Sequence, residues 1–72
     1  MPNLSLTVNG TDRSDVPTGT TVDGLLDILD MPHRDRGVAV AVDAEVVPRT
    51  AWATTVLADG DQVEVLVAVQ GG

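Results

Sequence analysis

Cysteine, lysine, phenylalanine and tyrosine are all absent from this 72-residue chain, and tryptophan and histidine occur once each. Each absence removes a class of chemistry. Without cysteine there is no disulfide, no thiolate metal site and no internal thiol nucleophile. Any sulfur or thioester chemistry therefore needs a thiol from a partner. Without lysine no side-chain amine can accept an isopeptide bond, so polymers linked in that way are not expected, although one copy could still act as the donor. Without phenylalanine or tyrosine, the core must be filled by aliphatic residues and Trp52. A metal centre needs three or four ligands, and His33 has no second histidine or cysteine to join it, so no metal site is expected.

Basic charge is also scarce. Eleven acidic residues face four arginines, for a net charge of −7. That balance argues against nucleic acid and anionic membrane as partners and favours encounter with a basic protein surface. No apolar run approaches the ~20 residues of a membrane span, and Met1-Pro2-Asn3-Leu4 lacks the basic and apolar regions of a signal peptide. A cytoplasmic, soluble protein is the expectation. Residues 1–72 read as one domain near the lower size limit for folding without staples, since so short a chain buries only about 60% of its unfolded surface.

What is present is strong periodicity. Leu4, Leu6 and Val8 alternate with polar residues and precede Asn9-Gly10, a hairpin signal. The return strand, about Thr11 to Val16, is polar and is followed by Pro17, which suits a sheet edge. Val22, Leu25, Leu26 and Leu29 form the i, i+3, i+4, i+7 stripe of a helix, widened by Ile28 and ended by Met31 ahead of Pro32. Thr20, with Asp23 three residues on, and Thr21 are equally good N-caps. His33 to Gly37 reads as a solvated loop. Val38-Ala39-Val40-Ala41-Val42 is apolar on both faces, as a central strand is, and its alanines leave one face flat. Asp43-Ala44 turns into a short strand, Glu45-Val46-Val47, which Pro48 stops. Arg49 to Ala53 reads as a helical turn with Trp52 as a core plug, Val56 and Leu57 add apolar cover, and Asp59-Gly60 is a tight turn.

The last stretch alternates again. Val63, Val65, Val67 and Val69 form one face, expected to be the core side, while Glu64, Leu66 and Ala68 form the other. Gln70-Gly71-Gly72 then follows with nothing to pack, so residues 70–72 are expected to form a mobile arm tipped by a carboxylate. Glycine is unhindered, and such an arm can thread a narrow channel and present that carboxylate for activation.

One long helix with a single apolar stripe must cover one face of a sheet. The order of elements is that of an α+β β-grasp, a mixed sheet of about five strands gripping one helix, with the first and last strands as its parallel central pair. On the opposite face Ala39, Ala41, Glu64, Leu66 and Ala68 should adjoin as an apolar patch beside an acid, the form a partner-docking surface takes.

Val47-Pro48-Arg49-x-x-Trp52, the Asp59-Gly60-Asp61 turn and the terminal Gly71-Gly72 together resemble the ThiS sulfur carriers of thiamine biosynthesis. Thr21-Val22 opening a Leu-Leu helix extends the resemblance over essentially the whole chain. Asp43 departs from it, standing where that family more often has Asn. The resemblance implies a ubiquitin-like protein substrate with no catalytic residues of its own and no bound cofactor. An E1-like (ThiF-like) adenylating partner would use ATP and Mg²⁺ to activate Gly72. Sulfur from a donor such as a cysteine desulfurase would convert it to a thiocarboxylate, and a ThiG-like thiazole synthase would take the sulfur. Another β-grasp sulfur carrier, such as the MoaD-like small subunit of molybdopterin synthase, and a protein-tagging modifier are the alternatives.

Overall fold

The computed structural model describes residues 3–30 and 37–67. The expected loop containing His33, and the positions Ala68, Val69, Gln70, Gly71 and Gly72, lie outside the described residues. Among the described residues, five strands and one helix make up the architecture. These are β1 (Asn3–Val8), β2 (Thr11–Pro17), α1 (Val22–Ile28), β3 (Val38–Val42), β4 (Glu45–Val47) and β5 (Gln62–Val67), with a 3-10 turn at Arg49–Ala51 before β5. The sheet order is β2-β1-β5-β3-β4. β1 and β5 run parallel at its centre, and every other pairing is antiparallel. This is the mixed β-grasp sheet that the order of elements implied.

Both hairpins turn through two residues with positive φ. Asn9 and Gly10 lie at φ 51° and 82°, and Asp43 and Ala44 at 52° and 68°. Such left-handed pairs match the twist of the strands that they join. Asn, Asp and Gly tolerate that region; Ala44 does so at a cost, because its Cβ crowds the backbone. β2, the polar strand, is at one edge, and its Arg13 forms a two-pronged bond to Asp15, 3.2 and 2.8 Å. That guanidinium holds the Asp15 carboxyl below its usual range.

One side of the sheet and the helix enclose the core. Leu4, Leu6, Val8, Val16, Val22, Leu25, Leu26, Val40, Trp52, Leu57, Val63 and Val65 are its buried members. Trp52 plugs the end between β4 and the helix. Its Nε1–H donates to the Val47 carbonyl at 2.9 Å, and the Arg49 guanidinium lies 4.9 Å from the ring centroid. Thus the spacing in Val-Pro-Arg-x-x-Trp has a local cause: Val47 supplies the acceptor, Pro48 opens the turn, Arg49 stacks and Trp52 fills the core.

The helix start depends on this segment too. Thr21 is the N-cap, its hydroxyl accepting from the Gly24 amide at 3.1 Å. The Val22 and Asp23 amides donate to the carbonyls of Thr55 and Trp52, 2.9 and 3.0 Å. Thr20 is not the cap, since its hydroxyl donates back to the Pro17 carbonyl at 2.6 Å. A non-local acceptor therefore takes each of the first two amides, which otherwise have no partner within a helix.

Four expectations need correction. The helix ends at Ile28 rather than Met31. Its last turn tightens, with the Asp30 amide donating to the Asp27 carbonyl, and Asp30 enters the left-handed region at φ 57°. Ile28 does not widen the buried stripe and is 40% exposed, because the stripe turns solventward at the helix end. Val67 is 47% exposed instead of sharing the core of Val63 and Val65, since it lies opposite Val38 at the rim of the sheet. Val56 bridges to Thr21 through its backbone and is 60% exposed, leaving Leu57 alone to cover the core.

Candidate functional site

The alternation of β3, β4 and β5 sends every second side chain to the face away from the helix. Register then decides which of them meet. Ala39 lies opposite Leu66, and Ala41 lies between Glu64 on one side and Val46 on the other. Four of the five expected docking residues (Ala39, Ala41, Glu64 and Leu66) are therefore adjacent on one face, and the fifth, Ala68, lies outside the described residues.

Leu66 is 68% exposed and Val46 is 71% exposed. They stand on either side of the alanine row of β3, whose short side chains leave the surface between them shallow. Glu64, directly opposite Ala41, supplies negative charge within the patch. Val46 was missed by sequence reasoning. Its signal was available: a two-residue turn carries the alternation of β3 straight into Glu45-Val46-Val47, which sets Val46 on the alanine face. Two large exposed aliphatic side chains joined by alanines are a contiguous apolar surface, and such surfaces on small proteins mark places of association.

The central strand connects this face to the chain's end. β5 carries Glu64 and Leu66 outward and Val63 and Val65 into the core, and residues 68–72 continue from it. Beyond Val8, β1 no longer pairs with it by strand register. Asn9 takes over, its side-chain Nδ2 donating to the Val65 carbonyl at 3.1 Å and its Oδ1 accepting from the Val65 amide at 2.8 Å. Its own amide donates to the Val63 carbonyl at 2.9 Å.

Among the described residues, no group of three or more His, Asp or Glu side chains could hold a metal ion, and no helix is long and apolar enough to cross a membrane. The expected site residues Gln70, Gly71 and Gly72 lie outside the described residues.

Comparison with known proteins adds the following. The ThiS family pattern matches residues 5–72. The sulfur carrier protein ThiS of Escherichia coli strain K12 is 41% identical over 54 residues, covering 75% of this chain and 79% of that protein. A thiazole synthase from Paramagnetospirillum magneticum is 33% identical over 69 residues, 96% of this chain but only 20% of that much longer protein. The crystal structure of the thiamine biosynthesis protein ThiS from Geobacter metallireducens is 36% identical and superposes with a TM-score of 0.79, covering 96% of this chain and all of that one. Its solution structure gives a TM-score of 0.80 over 96% of this chain and 88% of that one.

Proposed function

Because this chain belongs to the ThiS family and is a sulfur carrier homologue of thiamine biosynthesis, we propose that the Gly72 carboxyl is the group it lends to chemistry. The carboxylate oxygen attacks the α-phosphorus of ATP in the active site of an E1-like adenylating enzyme, with Mg²⁺ there, and pyrophosphate leaves. A persulfide on a sulfur-donor protein, charged by a cysteine desulfurase, attacks the acyl carbon and expels AMP. Cleavage of the resulting S–S bond by a thiol leaves a thiocarboxylate on Gly72. A thiazole synthase then accepts the sulfur.

The observation that carries this reading is the family match itself, which runs through Gly71 and Gly72 rather than stopping at the folded strands. The chain's composition supports it. With no cysteine and no lysine, it brings neither the sulfur nucleophile nor a competing side-chain amine. A protein named thiazole synthase holds a stretch similar to this chain, which supports the last step.

In this reading Gln70, Gly71 and Gly72 enter the partner's active site, and Ala39, Ala41, Glu64, Leu66, Ala68 and Val46 form the surface that docks. The partner's complement is an apolar patch with a basic rim, suited to a chain of net charge −7.

Intact mass after incubation with the adenylating enzyme, ATP, Mg²⁺ and a sulfur source tests the proposal. The mass rises by the difference between one sulfur and one oxygen atom, all of it on the last residue. Gly72→Ala places a methyl beside the reacting carbon and slows the reaction by up to about 10²-fold. One residue added after Gly72 abolishes it. Should the extended chain be thiocarboxylated as fast as the parent, the Gly-Gly end plays no part and the reading is wrong.

A further inference from the structure

We infer that Asn9 is a positioning residue for the adenylation of the Gly72 carboxyl: its side-chain amide holds β5 at Val65 and so sets the point from which Gly72 reaches its reaction partner. This rests on the activation of Gly72 proposed above.

The geometry begins with a shortage of backbone. β1 pairs with β5 only through Thr7 opposite Gln62 and Val8 opposite Val63. At Asn9 the chain turns away into β2, with φ 51° at Asn9 and 82° at Gly10. The next groups of β5 that face this side are the amide and carbonyl of Val65, a residue only 4% exposed. Left open there, each would carry the cost of a buried unpaired polar group.

An asparagine side chain ends in a primary amide, which presents the same donor and acceptor as a peptide group. Asn9 uses both, at 3.1 and 2.8 Å, to bind the carbonyl and the amide of one residue 56 positions away. The side chain thus stands in for one further residue of β1. β5 is bonded along both edges as far as Val65, and one residue beyond it carries the exposed Leu66. From Leu66, the six residues to Gly72 span at most about 20–22 Å. The position of the strand's end therefore limits where the Gly72 carboxyl can be delivered, whereas the docking patch on the outer face is untouched by Asn9.

Turn chemistry alone would also favour asparagine here, so the test must separate the turn from the clamp. Asn9→Gly keeps a residue well suited to positive φ at the first turn position and removes both side-chain bonds. Asn9→Asp also suits the turn, keeps an acceptor for the Val65 amide and removes only the donor. Amide hydrogen exchange reads the clamp. ATP–pyrophosphate exchange by the adenylating enzyme, with the carrier as varied substrate, reads its consequence.

In Asn9→Gly the Val65 amide exchanges faster by about tenfold, the equivalent of one lost hydrogen bond. Turnover at saturating carrier falls by about threefold to tenfold, as for a misplaced reacting group, while KM stays within about twofold. Asn9→Asp lowers turnover in the same direction. A Val65 amide that exchanges at the parental rate in Asn9→Gly would overturn the clamp. Parental turnover with a faster-exchanging Val65, or a rise in KM at unchanged turnover, would overturn the positioning role. A parent chain that supports no pyrophosphate exchange would instead strike down the activation of Gly72, and the hydrogen-exchange result would still stand or fall separately.

Discussion

Replacing Trp52 separates packing from hydrogen bonding at the one aromatic position. The side chain is 3% exposed, and a buried indole contributes of the order of 150–250 Å² of burial. Trp52→Ala removes it and leaves a cavity between β4, the 52–55 segment and the helix start, at a cost of about 3–5 kcal/mol. A domain of this length is stabilised by roughly 4–11 kcal/mol at ~0.05–0.15 kcal/mol per residue, so Trp52→Ala brings it close to unfolding. Trp52→Phe retains most of the ring and its stacking beneath Arg49, 4.9 Å away. What it loses is the 2.9 Å bond to the Val47 carbonyl, together with part of the ring volume. That acceptor is only partly buried and can recover some hydration, so a loss of about 1–2 kcal/mol is expected. Thermal melts followed by circular dichroism check both figures. Trp52→Phe lowers the midpoint by about 5–15 °C, and Trp52→Ala lowers it much further or leaves no cooperative transition. Equal losses in the two variants would refute the division made here, because the indole N–H would then account for the whole effect. Thiocarboxylation of folded Trp52→Phe proceeds at the parental rate, since Trp52 lies on the core side of the sheet.

Two further predictions concern the turn and the outer face. Ala44→Gly relieves a left-handed residue at φ 68° and raises stability by about 0.5–1 kcal/mol after the extra chain entropy of glycine is subtracted; a lower melting midpoint would count against it. Leu66→Arg, and independently Val46→Arg, leaves the melt within about 0.5 kcal/mol of the parent, as surface substitutions usually do. Either variant weakens binding to the adenylating enzyme in a titration, and unchanged affinity in both would move docking to another face.

Much of this protein was legible without coordinates, because its signals are local. Alternation of Leu4, Leu6 and Val8, and of Val63 and Val65, names the buried side of a strand whatever lies across from it. Asn9-Gly10 and Asp43-Ala44 specify turns through their own φ preferences, and the Leu25-Leu26 stripe specifies a helix face. The neighbours on the outer face, Ala39, Ala41, Glu64 and Leu66, followed from the same period of two. Tertiary structure decided the points where two local choices were equally good or where an element runs out. Thr21 caps the helix because Trp52 and Thr55 carbonyls receive the Val22 and Asp23 amides, while the Thr20 hydroxyl is engaged by Pro17. Val67 and Val56 are as apolar as their neighbours, yet they stand at rims the core does not cover. Asn9 reads in sequence as a turn residue and nothing more. Its bonds to Val65 cross 56 positions of chain, and only the folded sheet brings those groups together, because a side-chain amide recognises geometry and not sequence separation.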